Sequence, residues 1–261
     1  MTPVVSKILI YPIKSFDSVE LSEAMIGNSC LLHDREFAVF NAEGKYVNGK
    51  RTPRINELRS EFDLNEFTVA FHSEEKNETE RFHLLNDKTQ IEEYLSDFFG
   101  NKVFLKRNEN GRFLDIPDDS GITVSSKASL EKLTEYFPDI SLKQMRSRFR
   151  ANIEISGTEP FWEDRLFSDP GISIEFRIND VKLTGISPRA RCIVPTRDAV
   201  SGITYPRFTK IFTEARMQTL PDWSQLDLYD HYYYLNVDVS IPESETGKEI
   251  KTGDEIIIEV K

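Results

Sequence analysis

The chain has 261 residues, 39% of them hydrophobic and 30% charged, and a formal net charge of −11 at pH 7. That length suffices for one large β domain or two modest ones, and the acidic balance argues against a nucleic-acid surface, which needs a clustered basic face. Two cysteines, Cys30 and Cys192, exclude a four-thiolate zinc or iron–sulfur site.

No window has the apolar length of a membrane span, so no membrane anchor is expected. The start "MTPVVSKILIYPIKS" lacks the pattern of a signal peptide, and the expected location is cytoplasmic, where a Cys30–Cys192 disulfide is disfavoured.

In chain order, "VVSKILIYPI" is β-rich and stops at Pro12, and "EFAVF", "FTVAF" and "RFHLL" are further short strands. "TQIEEYLSDFFG" predicts a helix with a Thr89–Glu92 capping box, an apolar face at Ile91, Tyr94, Leu95 and Phe98, and Gly100 as C-cap. The polar, turn-rich "NENGRFLDIPDDSG" marks a boundary, giving expected regions 1–110 and 111–261. "SSKASLEKLTEYFP" predicts a second helix capped by Ser126 and stopped by Pro138. "RSRFRANIEIS" reads as an extended segment running into a strand, and "GISIEFRINDVKLTGI" as a hairpin about Asn179-Asp180. "YYYLNVDVSI" and "DEIIIEV" are the last strands, and the polar run after Gly202 has no assigned element. The expected fold class is mainly β with a few helices, and barrel-like.

Four features resist a purely structural reading. Lys14-Ser15 follows a strand and a proline, where a charge and a short donor suit a phosphate, or where a lysine is merely exposed in a turn. Asp34-Arg35 stands beside an apolar strand, as an internal ion pair or an anion contact. Arg148 and Arg150 alternate on one side with Asn152 behind them, converging on an anion or defending a strand edge with charge. Cys192 is a small buried filler or a reactive thiol, with Arg189, Arg191 and Arg197 around it to favour the thiolate. No zinc-protease spacing, nucleophile elbow, Walker loop or dinucleotide fingerprint is present.

The ordered set "YPIKS", "HDREFAVFNAEGKYV", "KRTPRI", "SSKASL", "RFRANIEISG", "FWED", "RCIVPTRDAVSG" and "IKTGDEI" resembles the MOSC family. It is most similar to the two-part members, with an N-terminal MOSC β-barrel region before the MOSC domain, such as the mitochondrial amidoxime-reducing component and its bacterial relatives. The resemblance implies a molybdenum cofactor, a phosphorylated pterin whose dithiolene holds the metal, with Cys192 as the protein ligand and catalytic centre. It places the pterin-phosphate contacts at Lys14, Ser15 and Arg35, and further cofactor-binding positions at Asp119, Ser120, Arg150 and Asn152, with Tyr232 in "DHYYYLNV". After Cys192 this chain departs from the family's two threonines and Asp-Pro-Asp turn, having Pro195 and "DAVSG" instead, which puts the substrate preference of that loop in question.

The resulting expectation is a molybdenum-dependent oxidoreductase that reduces a small-molecule N-hydroxylated or N-oxide substrate. Its electrons come from a separate reductase, since the chain has neither a flavin motif nor cluster cysteines. The rival expectation is a carrier of the cofactor or of sulfur, as in cofactor sulfurases, but with no pyridoxal phosphate domain in this length.

Overall fold

In the computed structural model the described residues are 2–73, 78–109, 112–114, 121–169, 172–224 and 229–259. Among them are fifteen strands and four α-helices, so the protein is mainly sheet, as expected. No helix among them is long and apolar enough to cross a membrane.

The first strand, β1 (Val4–Ile10), lies deep in the largest sheet because its residues are apolar on both faces at its end, with Ile8 and Ile10 fully buried. It pairs antiparallel with β2 (Val19–Leu21) on one side and with β10 (Ile153–Ser156) on the other. Beyond β10 come β9 (Ile122–Ser126), which is parallel to it, then β13 (Tyr234–Ser240), β12 (Val181–Ala190), β11 (Ile174–Ile178) and β15 (Ile256–Ile258). The β11–β12 hairpin turns at Asn179-Asp180, with Asn179 in the left-handed region at φ 53°. The eight-stranded ladder is not a closed barrel. Its far ends are nevertheless tied together, since Val5 N donates to Asp254 O (2.9 Å) and Ile256 N to Pro3 O (2.9 Å). The first strand is thus built into a core made mostly from the second half of the chain.

A second core belongs to the first half. The pair β4 (Phe37–Asn41) and β8 (Val103–Arg107) and the meander β5 (Leu58–Asp63), β6 (Thr68–Ser73), β7 (Glu78–His83) enclose Phe71, Ile91 and Leu95. Helix α1 (Lys88–Phe99) seals it with the predicted face and ends at Gly100, φ 68°. The predicted capping box is not formed. The helix starts one residue before Thr89, and the Glu92 carboxylate instead accepts from Leu105 N at 2.9 Å, so a tertiary contact takes the group the cap would use. A small ladder, β3 (Glu23–Met25) with β14 (Glu249–Lys251), joins the two ends of the chain.

The third core holds two helices that the sequence reading missed. Helix α2 (Lys127–Thr134) is capped by Ser126 as expected. The segment "SLKQMRSRF" is not extended but forms α3 (Leu142–Phe149), with Ser141 and Gln144 in a reciprocal capping box. The polar run after Gly202 contains α4 (Phe208–Gln218), whose Phe208, Phe212, Ala215 and Arg216 recur at helical spacing and are buried. These helices pack Phe137, Phe149, Phe161 and Phe212 against Tyr233 and Leu235 of the β13 segment. Each such side chain contributes roughly 1.5–3 kcal/mol by burial.

Candidate functional site

Pro12 ends β1 because it cannot donate to a ladder, and the chain turns through Ser15 at φ 72°. Arg35 N donates to Tyr11 O (2.8 Å), Tyr11 N donates to Asp34 Oδ1 (2.9 Å), and the Arg35 guanidinium closes on the Asp34 carboxylate. Asp34 is 1% exposed, so it needs that cation. Ser15, His33, Arg35 and Arg150 all hold left-handed backbone, at φ 72°, 65°, 52° and 54°. Each costs roughly 1–2 kcal/mol for an L-residue, and such strain concentrates where side chains must be aimed.

Arg150 is aimed by this device. It terminates α3 as a left-handed C-cap, and its Nη2 donates to Phe16 O at 2.7 Å. Its guanidinium lies 4.0 Å from the Tyr11 ring centre, and that of Arg35 lies 4.8 Å from the same ring. One step further, Arg191 Nη2 donates to Phe149 O (2.7 Å) and the guanidinium rests 5.0 Å from the Phe149 ring. Burial pushes the pKa of Arg150 and of Arg191 down to about 10. Neither has an ion-pair partner among the described residues, whereas Arg189 is paired with Asp238 and Arg146 with Glu154. A protein of net charge −11 therefore concentrates uncompensated positive charge at one place.

Cys192 follows directly. It is exposed at the end of β12, where Arg191 N donates to Tyr233 O (2.9 Å). Arg191 and Tyr233 are its charged and aromatic neighbours. Cys30 is the opposite case, buried, with its thiol pushed up to about 11 by that burial.

The other expected residues divide. Asn152 is 1% exposed and works inward. Its Nδ2 donates to Leu9 O (3.0 Å), while its Oδ1 accepts from Thr123 N (3.1 Å) and Arg35 Nη1 (3.3 Å), so it props Arg35 from below. Lys14 is buried, with Nζ donating to Phe113 O (3.1 Å) and lying 4.7 Å from the Tyr46 ring centre; Phe113 N in turn bonds Arg35 O. Tyr232 packs against the core of the large sheet and stacks on Tyr229, while Tyr233 is the tyrosine beside Arg191. Arg148 does not share a face with Arg150. It is buried in the helix that replaces the expected extended segment. Asp119 and Ser120 lie outside the described residues. Sequence reasoning missed Tyr11, whose one signal was an aromatic ring at a proline-terminated strand end.

No group of three or more His, Cys, Asp or Glu that could hold a metal is present among the described residues.

Comparisons with known proteins bear on this arrangement. Residues 2–102 match the MOSC N-terminal beta barrel domain and residues 110–257 the MOSC domain. Human molybdenum cofactor sulfurase is 23% identical over 246 residues, covering 76% of this chain and 27% of that protein. The zebrafish (Danio rerio) molybdenum cofactor sulfurase is 27% identical over 205 residues, covering 61% and 25%. The chain thus spans about a quarter of the length of these curated relatives. The crystal structure of the YuaD protein from Bacillus subtilis aligns over 100% of this chain and 98% of that one, at 13% identity and a TM-score of 0.45. With both family models matched in order along nearly its whole length, the chain belongs to the MOSC domain family.

Proposed function

We propose that the chain binds a molybdenum cofactor at Cys192 and the Tyr11–Arg35–Arg150–Arg191 cluster, and reduces N-hydroxylated or N-oxide compounds with electrons from a separate reductase. The observation that supports this best is the pair Arg150 and Arg191, half-buried without carboxylate partners among the described residues, with Cys192 exposed next to Arg191. A partly desolvated guanidinium lacking an anion is poorly compensated, and a phosphate supplies the missing charge. The donor set fits such a cofactor: one soft thiolate for molybdenum, and arginines whose forks suit phosphate oxygens.

When bound, the cofactor supplies two-electron oxygen-atom-transfer chemistry. The chain's own residues do the rest. The Cys192 thiolate holds the metal. Arg150 and Arg191 neutralise the phosphate, Arg35 is oriented for it by Asp34 and Asn152, and Lys14 and Ser15 add charge and a donor from the strand end. Asp119, Ser120 and Tyr232 belong to the same proposal through the family resemblance. Two cysteines cannot supply a four-thiolate iron–sulfur cluster, and this supports an electron source outside these residues.

A second reading, a carrier of cofactor or sulfur, is favoured by the exposure of Cys192 and by the name of the curated relatives. The two are separated by expressing the full chain in a host able to make the cofactor. Molybdenum and pterin content are measured, followed by turnover of an N-hydroxylated amidine with dithionite-reduced methyl viologen. Metal with turnover supports the reductase, metal or persulfide without turnover supports the carrier, and neither rejects both.

A further inference from the structure

The last turn of α3 contacts the end of β1 and the chain on both sides of Cys192. The Phe149 carbonyl accepts from Arg191 Nη2 (2.7 Å) and from Asn236 Nδ2 (3.1 Å), which anchors the residue before Cys192 and the strand beside it. Arg150 reaches Phe16 and Tyr11 at the end of β1. Arg148 reaches the other side of the cysteine: its Nη1 donates to Pro195 O (3.0 Å) and its Nη2 lies 3.5 Å from Asp198 Oδ2. Asp198 in turn closes the loop after Cys192, its Oδ1 accepting from Val200 N and Ser201 N, both at 3.0 Å.

Arg148 is 4% exposed, and its Nε has no hydrogen-bond partner among the described residues. Its guanidinium lies 5.5 Å from the centre of the Phe208 ring. As core filling this is a poor choice, because a methionine would fill the same volume without desolvating a charge. The charge makes sense as a clamp on the loop. Arg59 Nη1 donating to Ala199 O (2.7 Å) and Arg197 bonding Gly49 O hold the same loop from the first-half core. Among the described residues, Arg148 is the buried clamp from the helical side.

We infer that Arg148 is a positioning residue for Cys192. Together with the Phe149 carbonyl it fixes the chain on both sides of the thiol, so that one helical turn sets both Arg150 and the sulfur. The inference rests on the reading of Cys192 as the metal ligand, but its test does not need the cofactor. Arg148→Met and Arg148→Lys are made in the full chain and their melts recorded. Amide hydrogen exchange of residues 193–205 is then followed, with α1 as an internal reference. In Arg148→Met the amides of Val200, Ser201 and Tyr205 are expected to exchange about tenfold faster, as local opening becomes easier, while α1 is unchanged. Arg148→Lys restores protection, since an ammonium can still donate to Pro195 O or Asp198. A mere filler behaves the other way, with methionine tolerated and lysine not. Asp198→Asn, which keeps the loop's amide acceptor but removes the charge, serves should Arg148→Met fail to fold, and the same amides should exchange faster. On cofactor-loaded protein, kcat should fall in Arg148→Met with substrate KM unchanged. Wild-type exchange in a folded Arg148→Met, or no rescue by lysine, overturns the inference. The expected exchange in a chain that never holds molybdenum overturns the proposed function and leaves the clamp standing.

Discussion

The protein withdraws arginine from water in two ways, fully at Arg216 and partly at Arg150 and Arg191, and the contrast separates scaffold from site. Arg216 on α4 is 1% exposed and bonds the Asp164 carboxylate; Tyr229 Oη donates to the same carboxylate at 2.9 Å, and the Phe161 ring lies 3.8 Å from the guanidinium. Beside it Glu163 is fully buried and accepts from Ser129 Oγ at 2.6 Å, which joins α2 to the turn at residues 162–166. Gly185 of β12 lets the Leu166 carbonyl come so near that any Cβ would collide with it. Positive charge there is answered by negative charge within the protein. Around Tyr11, Arg150 and Arg191 have carbonyls and rings instead of carboxylates, and the residue after Arg191 is the exposed Cys192. A charge answered internally holds a fold together, and one left unanswered is available to a ligand.

The largest effect that could break this contrast concerns Arg216. Arg216→Met strands the Asp164 carboxylate in the core and should cost about 3–5 kcal/mol in a urea unfolding midpoint. If Arg150→Met costs as much, the two arginines do the same job and the distinction collapses. Next in size is Cys192→Ser, which replaces a soft ligand by a hard one. Turnover should fall by about two orders of magnitude while the melt stays near wild type, with Cys30→Ser losing stability but not turnover.

Arg150→Met sharpens the comparison from the other side. Its stability should change by about 1 kcal/mol, but pterin content per folded molecule should drop about tenfold with the loss of a charge-assisted contact. Fluorescence of the released pterin, read against the melt, checks this.

The smallest effect is a pH dependence. Burial, reinforced by Asp164, pushes the Glu163 carboxyl up to about 7, above its value in the unfolded chain. Between about pH 4.3 and 7 the folded protein therefore binds more protons than the unfolded one, so stability falls as pH rises and levels off above 7. Glu163→Gln flattens that slope, leaving the share of Asp164, whose carboxyl burial also pushes up, and should be more stable than wild type at pH 8 by about 1 kcal/mol. Parallel melts at pH 5 and pH 8 that shift by the same amount in both proteins would refute it.

Local signals carried much of the architecture. The alternation about Asn179-Asp180, the Ser126 cap and Gly100 after the α1 face were all legible, because each rests on backbone chemistry within a few residues. The Ser141–Gln144 capping box and the Phe208–Phe212–Ala215 spacing are equally local, but the arginines and polar residues that dominate those stretches mask them. The Thr89–Glu92 box failed for a different reason: β8 recruits Glu92 across a distance that no local rule sees.

By itself the sequence determined the mainly β class, the acidic balance, and the ordered motifs that mark the MOSC family, since strand patterning and motif order survive without knowledge of contacts. Only the tertiary structure decided that Arg148 and Arg150, two residues apart, point to opposite tasks. Helix α3 ends between them and Arg150 turns left-handed, so one guanidinium is swung toward Tyr11 while the other stays buried against Pro195 and Asp198. Side-chain direction at a helix terminus depends on what packs around it, and that is fixed by residues more than a hundred positions away, such as Phe16.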